Sequence, residues 1–186
     1  MKTLLHILAV LSLGFFLPTN ETADIYIKKG SQISITGNSN VNCFTCHYSQ
    51  TIAEGCQQIK YEYENDSYNL KNAELNLESK AFDCGGRMIN KDFNKLMESE
   101  HHPHIKISFD KIKIIENDFQ VTAEIEIADK INSYDFMISS ENTTNYLGTL
   151  ELNIEDFGME APHKLFGAIK VEPDIIINFD LNLQIE

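Results

Sequence analysis

The chain is poor in positive charge: 15 Lys and Arg stand against 28 Asp and Glu in 186 residues, a formal net charge of -13. Such a surface repels phosphate backbones, which excludes nucleic acid as a natural partner. The charges are interspersed, with no acidic or basic tail. Long apolar runs are missing after Leu17, as are linkers, internal repeats and low-complexity tracts, so nothing marks a boundary between domains. Catalytic signatures are absent too. There is no G-x-S-x-G elbow, and Ser, His and Asp residues follow no nucleophilic ordering. Asp156-Phe157-Gly158 spells a kinase triplet, but no Gly-rich loop, V-A-I-K lysine or H-R-D segment accompanies it. No residue is nominated as catalytic, and no enzyme activity is expected.

What is present begins at the N-terminus. Met1-Lys2-Thr3 leads into LLHILAVLSLGFFL, Leu4 to Leu17, shorter than the roughly 18 apolar residues at which a membrane-spanning helix becomes the default. This is the profile of an export signal. Pro18 and the polar residues after it form the cleavage region, with Ala23 as the last residue removed in the absence of an A-x-A site. The chain divides into a signal peptide, 1–23, and one domain, 24–186, with no integral membrane span. No cysteine follows the apolar run to carry a lipid anchor. Removal takes away one Lys and one Glu, leaving the net charge unchanged. The four cysteines, an even number in an exported chain, favour disulfides over thiols.

From Asp24 onward apolar residues recur at every second position. Ile33 and Ile35, Leu75 and Leu77, and Ile105, Ile107 and Phe109 set the pattern. Val121, Ala123, Ile125 and Ile127, then Phe136 and Ile138, then Leu150, Leu152 and Ile154 continue it, and the alternation from Ile175 to Ile185 ends it. A period of two turns one face of each strand to a core and the other to water. Turn residues such as Glu116-Asn117-Asp118, Asp129-Lys130 and Glu141-Asn142 separate the strands. About eight antiparallel strands then close into a barrel or pack as a sandwich. One segment breaks the period: NKDFNKLME places Phe93, Leu96 and Met97 at helical spacing behind Asn90 as N-cap, predicting a short helix over 90–98 that covers one end of the sheet.

NVNCFTCHY, Asn40 to Tyr48, holds a C-x-x-C-H. Read alone it suggests a redox dithiol, half a metal site or a haem attachment signal. Residues three apart on a strand point to opposite faces, so Cys43 and Cys46 cannot share a metal or close a short bridge unless the strand breaks. Two separate disulfides with Cys56 and Cys84 follow, and either assignment is open. In HHPHI, Pro103 favours extended backbone, which sets His102 and His104 on one side and His101 on the other. Two imidazoles without further ligands make no metal site, so no metal or other cofactor is expected. Glu124 and Glu126 alternate with Ile125 and Ile127 as a solvated outer face. The sequons at Asn20, Asn65 and Asn142 are acceptors only in a eukaryotic host.

The order of segments resembles the YceI-like family. The long first strand SQISITGNSNVNCFTC is similar to that family's, as is AELNLESKAFDCGGRMINKDFNKLMESEHHPHIKISF, with its strand, loop, short helix and Pro-led strand. GTLELNIEDFGMEAPHKLFGAIKVEPDIIINFDLNL resembles the family's DFG segment and closing strand. The resemblance implies an antiparallel, eight-stranded, lipocalin-like barrel with one short helix, exported to the periplasm or secreted by a bacterium. True lipocalins carry a G-x-W, and this chain has no Trp, so the likeness is one of architecture. Pairing of the F-x-C and F-D-C cysteines is likewise implied by resemblance: Cys46 to Cys84, leaving Cys43 to Cys56, although the spacing also allows the crossed arrangement.

The function expected from these readings is a non-catalytic barrel that holds an apolar lipid, such as a polyisoprenoid, in its interior. Phe109, Ile125, Ile127, Phe136, Ile138, Leu150, Leu152, Ile177 and Phe179 would line the cavity. Two alternatives stand beside it: a thiol-, haem- or metal-dependent protein using Cys43, Cys46 and His47, and an interaction protein with no internal ligand.

Overall fold

The structure, a computed structural model, describes residues 21–52, 55–140, 142–164 and 169–186. The apolar leader falls outside them, and so does Asn20. Glu21, Thr22 and Ala23 open the first strand, β1 (Glu21–Ile27). It is followed by β2 (Gln32–Ser39), β3 (Cys43–Tyr48), β4 (Gly55–Glu64) and β5 (Ser67–Glu78). After the two-residue β6 (Phe82–Asp83) and the helix α1 (Arg87–Leu96) come β7 (His104–Ile115), β8 (Asp118–Ile127), β9 (Lys130–Ser140) and β10 (Asn145–Asn153). The short β11 (His163–Lys164) and the long β12 (Ile169–Ile185) complete the chain.

These segments form one antiparallel sheet that closes on itself as a ring of eight strands. Closure depends on two long bent strands. β1 and β2 lie end to end along the same edge of β12, with Ile25 opposite Ile185 and Ile33 opposite Phe179. β4 and β3 repeat the arrangement one strand further on. The last seam is only partly laddered. β4 pairs with β5 from Lys60 to Glu64, and below that side chains bridge the gap. Gln57 donates through Nε2 to the Glu74 carbonyl at 3.2 Å, and the Glu78 N–H donates to the Tyr48 hydroxyl at 3.3 Å. Among the described residues no helix is long and apolar enough to cross a membrane.

The alternation seen in the sequence is the burial pattern of the barrel. Ile107, Ala123 and Ile125 are completely buried, and Ile33, Val121, Leu150 and Ile154 nearly so. Parity shifts twice, at irregularities between Asn69 and Ala73 on β5 and between Phe109 and Lys111 on β7. Beyond them Tyr68 and Ile112 continue the inward face, opposite each other and in line with the buried Val121.

The helix differs from its predicted span. It begins at Arg87 behind Gly86, and Gly85 takes the left-handed φ of +80° that the turn requires. Asn90 lies inside the helix instead of capping it, because its side chain is engaged backwards. Its Oδ1 accepts from the Cys84 N–H at 2.7 Å, while Nδ2 donates to Asp83 Oδ1 at 2.9 Å. Phe93 and Met97 are buried and Leu96 half-buried, and all three face the end of the barrel.

Candidate functional site

At the α1 end, Phe93, Leu96 and Met97 meet Ile35, Phe44, Phe82, Ile105 and Ile177 around an enclosed space of about 40 Å³. Glu172 is the charged residue at its border. Ligand pockets for drug-sized molecules measure roughly 300–1,000 Å³, so the barrel's own side chains fill its interior. The nine nominated lining residues all belong to that interior face. Ile125, Ile127, Phe136, Leu150, Leu152, Ile177 and Phe179 are buried, and Phe109 and Ile138 are half-buried against the same core. Phe136 and Phe179 stack with ring centroids 5.5 Å apart.

The opposite end is open, and sequence reasoning missed its residues. Tyr63 pairs with Tyr68 across β4 and β5, Tyr68 with Ile112, and Ile114 with Phe119, all on the inward face. Tyr68 packs against Tyr63 at 4.8 Å and Tyr61 at 5.6 Å between ring centroids. The inward-facing Tyr63, Ile114 and Ile185 are nevertheless 53%, 38% and 54% exposed, which identifies this end as the mouth. The Tyr63 hydroxyl donates to Asp66 Oδ1 at 3.1 Å and that of Tyr61 to Glu21 Oε2 at 2.7 Å. Each carboxylate holds its phenol protonated, moving the tyrosine pKa upward. Ile59, Tyr61 and Tyr63 keep the period of two, so the signal was present in the sequence. The parity break at the β5 irregularity separated it from the core pattern.

The cysteines divide by strand face. Cys46 is fully buried and bonded to Cys84. Cys43 points outward and is a free, exposed thiol, as is Cys56. The expected Cys43–Cys56 bridge is thereby corrected. Cys43 lies opposite Asn38 on β2 and Cys56 opposite Tyr26 on β1, toward the two ends of one bent hairpin. A disulfide needs Cα atoms within roughly 7 Å. With Cys46 engaged, the C-x-x-C-H cannot act as a dithiol, and Cys43 and His47 face away from the core.

His101 and His102 belong to the turn that ends the helix, both donating through their N–H to the Glu98 carbonyl. His102 Nδ1 lies 3.2 Å from Asp129 Oδ1, tying this turn to the β8–β9 connection. His104 starts β7. No group of three or more His, Cys, Asp or Glu among the described residues is arranged to hold a metal ion.

Comparison with solved structures agrees with this geometry. Burkholderia cenocepacia BcnA superposes with a TM-score of 0.59 at 15% identity, over 83% of this chain and 96% of that one. A polyisoprenoid binding domain from Saccharophagus degradans, implicated in plant cell wall breakdown, gives 0.53 at 8% identity over 87% and 97%. A mutant CJ YCEI protein made for nanotechnology applications gives 0.51 at 10% identity over 69% and 80%. No curated protein matches the sequence. At these identities the likeness is one of fold, but the model of the YceI-like domain matches residues 28–183, nearly the whole barrel, and the chain therefore belongs to the YceI-like family.

Proposed function

We propose that the protein is an exported, non-catalytic carrier that binds an apolar chain of isoprenoid type inside its barrel. The observation carrying this reading is the predominantly apolar inward face, which runs from the α1 floor toward the tyrosine mouth. A chain entering there exchanges water for hydrocarbon at roughly 25 cal/mol per Å² of apolar area buried. Because the interior is packed, uptake requires core side chains to give way, with the exposed rings and aliphatics at the mouth the first to move. The fold likeness to a polyisoprenoid binding domain supports the ligand class, and the Cys46–Cys84 disulfide supports an oxidising compartment such as the periplasm.

Native mass spectrometry and solvent extraction of protein purified from the exported fraction test this. A non-covalent adduct that yields a hydrocarbon on extraction is the expected result. Recovery of no lipid, together with no rise in melting temperature when farnesol is added, overturns it. That outcome would favour the second reading, an interaction protein with no internal ligand, for which the nearly filled interior is the specific observation.

A further inference from the structure

We infer that the apolar ligand carries an uncharged, hydrogen-bond-donating head, such as a free hydroxyl, and that the barrel discriminates against the corresponding phosphate ester. The inference rests on the lipid-binding reading and narrows it to one class of chain end.

Charge distribution is the first ground. At the inward positions near the mouth, among the described residues, there is no Lys or Arg, and the inward-register Lys130 lies at the far, α1 end, opposite Ile127. The lysines near the mouth sit on the other face: Lys60 opposite Lys71, Lys111 opposite Thr122, and Lys113 opposite Gln120. Lys71 is moreover held by Glu62 at 2.7 Å. Near the mouth the charged group on the inward face is instead Glu21, opposite Tyr61, and the β4–β5 tip adds Asp66. A phosphate drawn into such a mouth loses hydration and gains no counter-ion, while meeting like charge. The groove at the other end offers no alternative. Lys95 and Lys130 border it, but so do Asp92, Glu98 and Glu160.

Hydrogen-bond polarity is the second ground. The Tyr61 and Tyr63 hydroxyls spend their protons on Glu21 and Asp66, so the phenol oxygens and the carboxylates offer lone pairs to an incoming group. An alcohol donates to that array. A fully ionised phosphate has no proton to give.

The test compares two probes with one chain, farnesol and farnesyl phosphate, by calorimetric titration of the purified protein. Farnesol is expected to bind more tightly by about tenfold or more, the ratio that corresponds to about 1.4 kcal/mol. Ile114→Lys places a cation at an inward, solvent-touching rim position and should narrow or invert the ratio by strengthening phosphate binding. Ile115→Lys adds the same charge on the outward side of the same strand and should leave the ratio unchanged. Equal or tighter binding of the phosphate by the wild type overturns the inference and leaves the lipid-binding reading standing, as does an identical response of the two lysine variants. Failure of both probes to bind the wild type removes the lipid-binding reading itself.

Discussion

The Tyr134 hydroxyl on β9 donates to Asp156 Oδ2 at 3.0 Å, and its ring stacks on Phe157 with centroids 6.2 Å apart. The DFG triplet that mimics a kinase motif is thus a structural clasp. Ile154 to Phe157 form a single 3₁₀ turn, Gly158 ends it with a left-handed φ of 70°, and the segment closes the barrel wall beside the helix. Asn132 adds a second tie, donating through Nδ2 to the Asp156 carbonyl at 2.9 Å.

Burial and this hydrogen bond push the Tyr134 pKa up to about 12. In the unfolded chain the phenol titrates near its ordinary value of 10. The folded state therefore binds more protons between these values, and stability falls as pH rises from about 10 to about 12. Tyr134→Phe should remove this alkaline loss and cost about 1 kcal/mol at neutral pH. Urea melts of both proteins at pH 7, 9 and 11 measure the two effects together. An unchanged alkaline slope in the variant would rule Tyr134 out as its source.

Replacing Cys46 and Cys84 together by Ala opens a loop of sequence separation 38. The chain-entropy model gives a loss of roughly 3 to 4 kcal/mol. The wild type under a strong reductant should show the same downward shift in melting temperature. Labelling with iodoacetamide before reduction should modify Cys43 and Cys56 and spare the other two. A wild type insensitive to reductant would contradict the assigned pairing.

Ile107 is completely buried at the centre of the inward face. Truncation to Ala should cost about 2 to 5 kcal/mol, depending on how far the neighbours collapse into the space left. Met88, 80% exposed on the outer side of α1, should accept Ala at almost no cost. Chemical denaturation midpoints for the pair check both values.

Asp83 receives Asn90 Nδ2 and the Gly85 N–H, and these bonds hold its carboxyl below the ordinary carboxylate range. The stabilisation they give is present above the ordinary pKa and disappears as pH drops through the lowered one. Asn90→Ala should weaken the acid limb of the stability profile while leaving the alkaline limb alone. It also strips the Cys84 N–H of its acceptor. Thermal melts between pH 2 and 8 read the outcome.

For the exported protein proposed above, the mature N-terminus is expected at or before Glu21. Cleavage after Ala23 would remove three residues that pair with Ile59, Lys60 and Tyr61, and would leave the Tyr61 hydroxyl without Glu21. Intact-mass measurement of protein recovered from the exported fraction decides where the cut falls.

Much of the barrel was legible because its determinants are local. Alternation at Ile105, Ile107 and Phe109 or at Val121, Ala123, Ile125 and Ile127 assigns both the strand and its inward face, since a side-chain period of two leaves few other ways to bury those residues. The opposite facing of Cys43 and Cys46 followed from the same rule. The helix boundary was misplaced because Asn90 is as good a cap by composition as Gly86. Only the position of the Asp83–Cys84 backbone turned its amide to another use.

The sequence by itself determined the all-β class, the alternation that gives each strand one apolar face and the order of elements that marks the family, all consequences of short-range pattern. The tertiary structure alone decided which cysteines meet, where the two parity shifts turn Tyr68 and Ile112 inward, and that one end is closed by α1 while the other opens onto tyrosines. Those outcomes depend on strand register and ring closure, which bring together residues such as Ile25 and Ile185 from opposite ends of the chain. No local period carries information about such contacts.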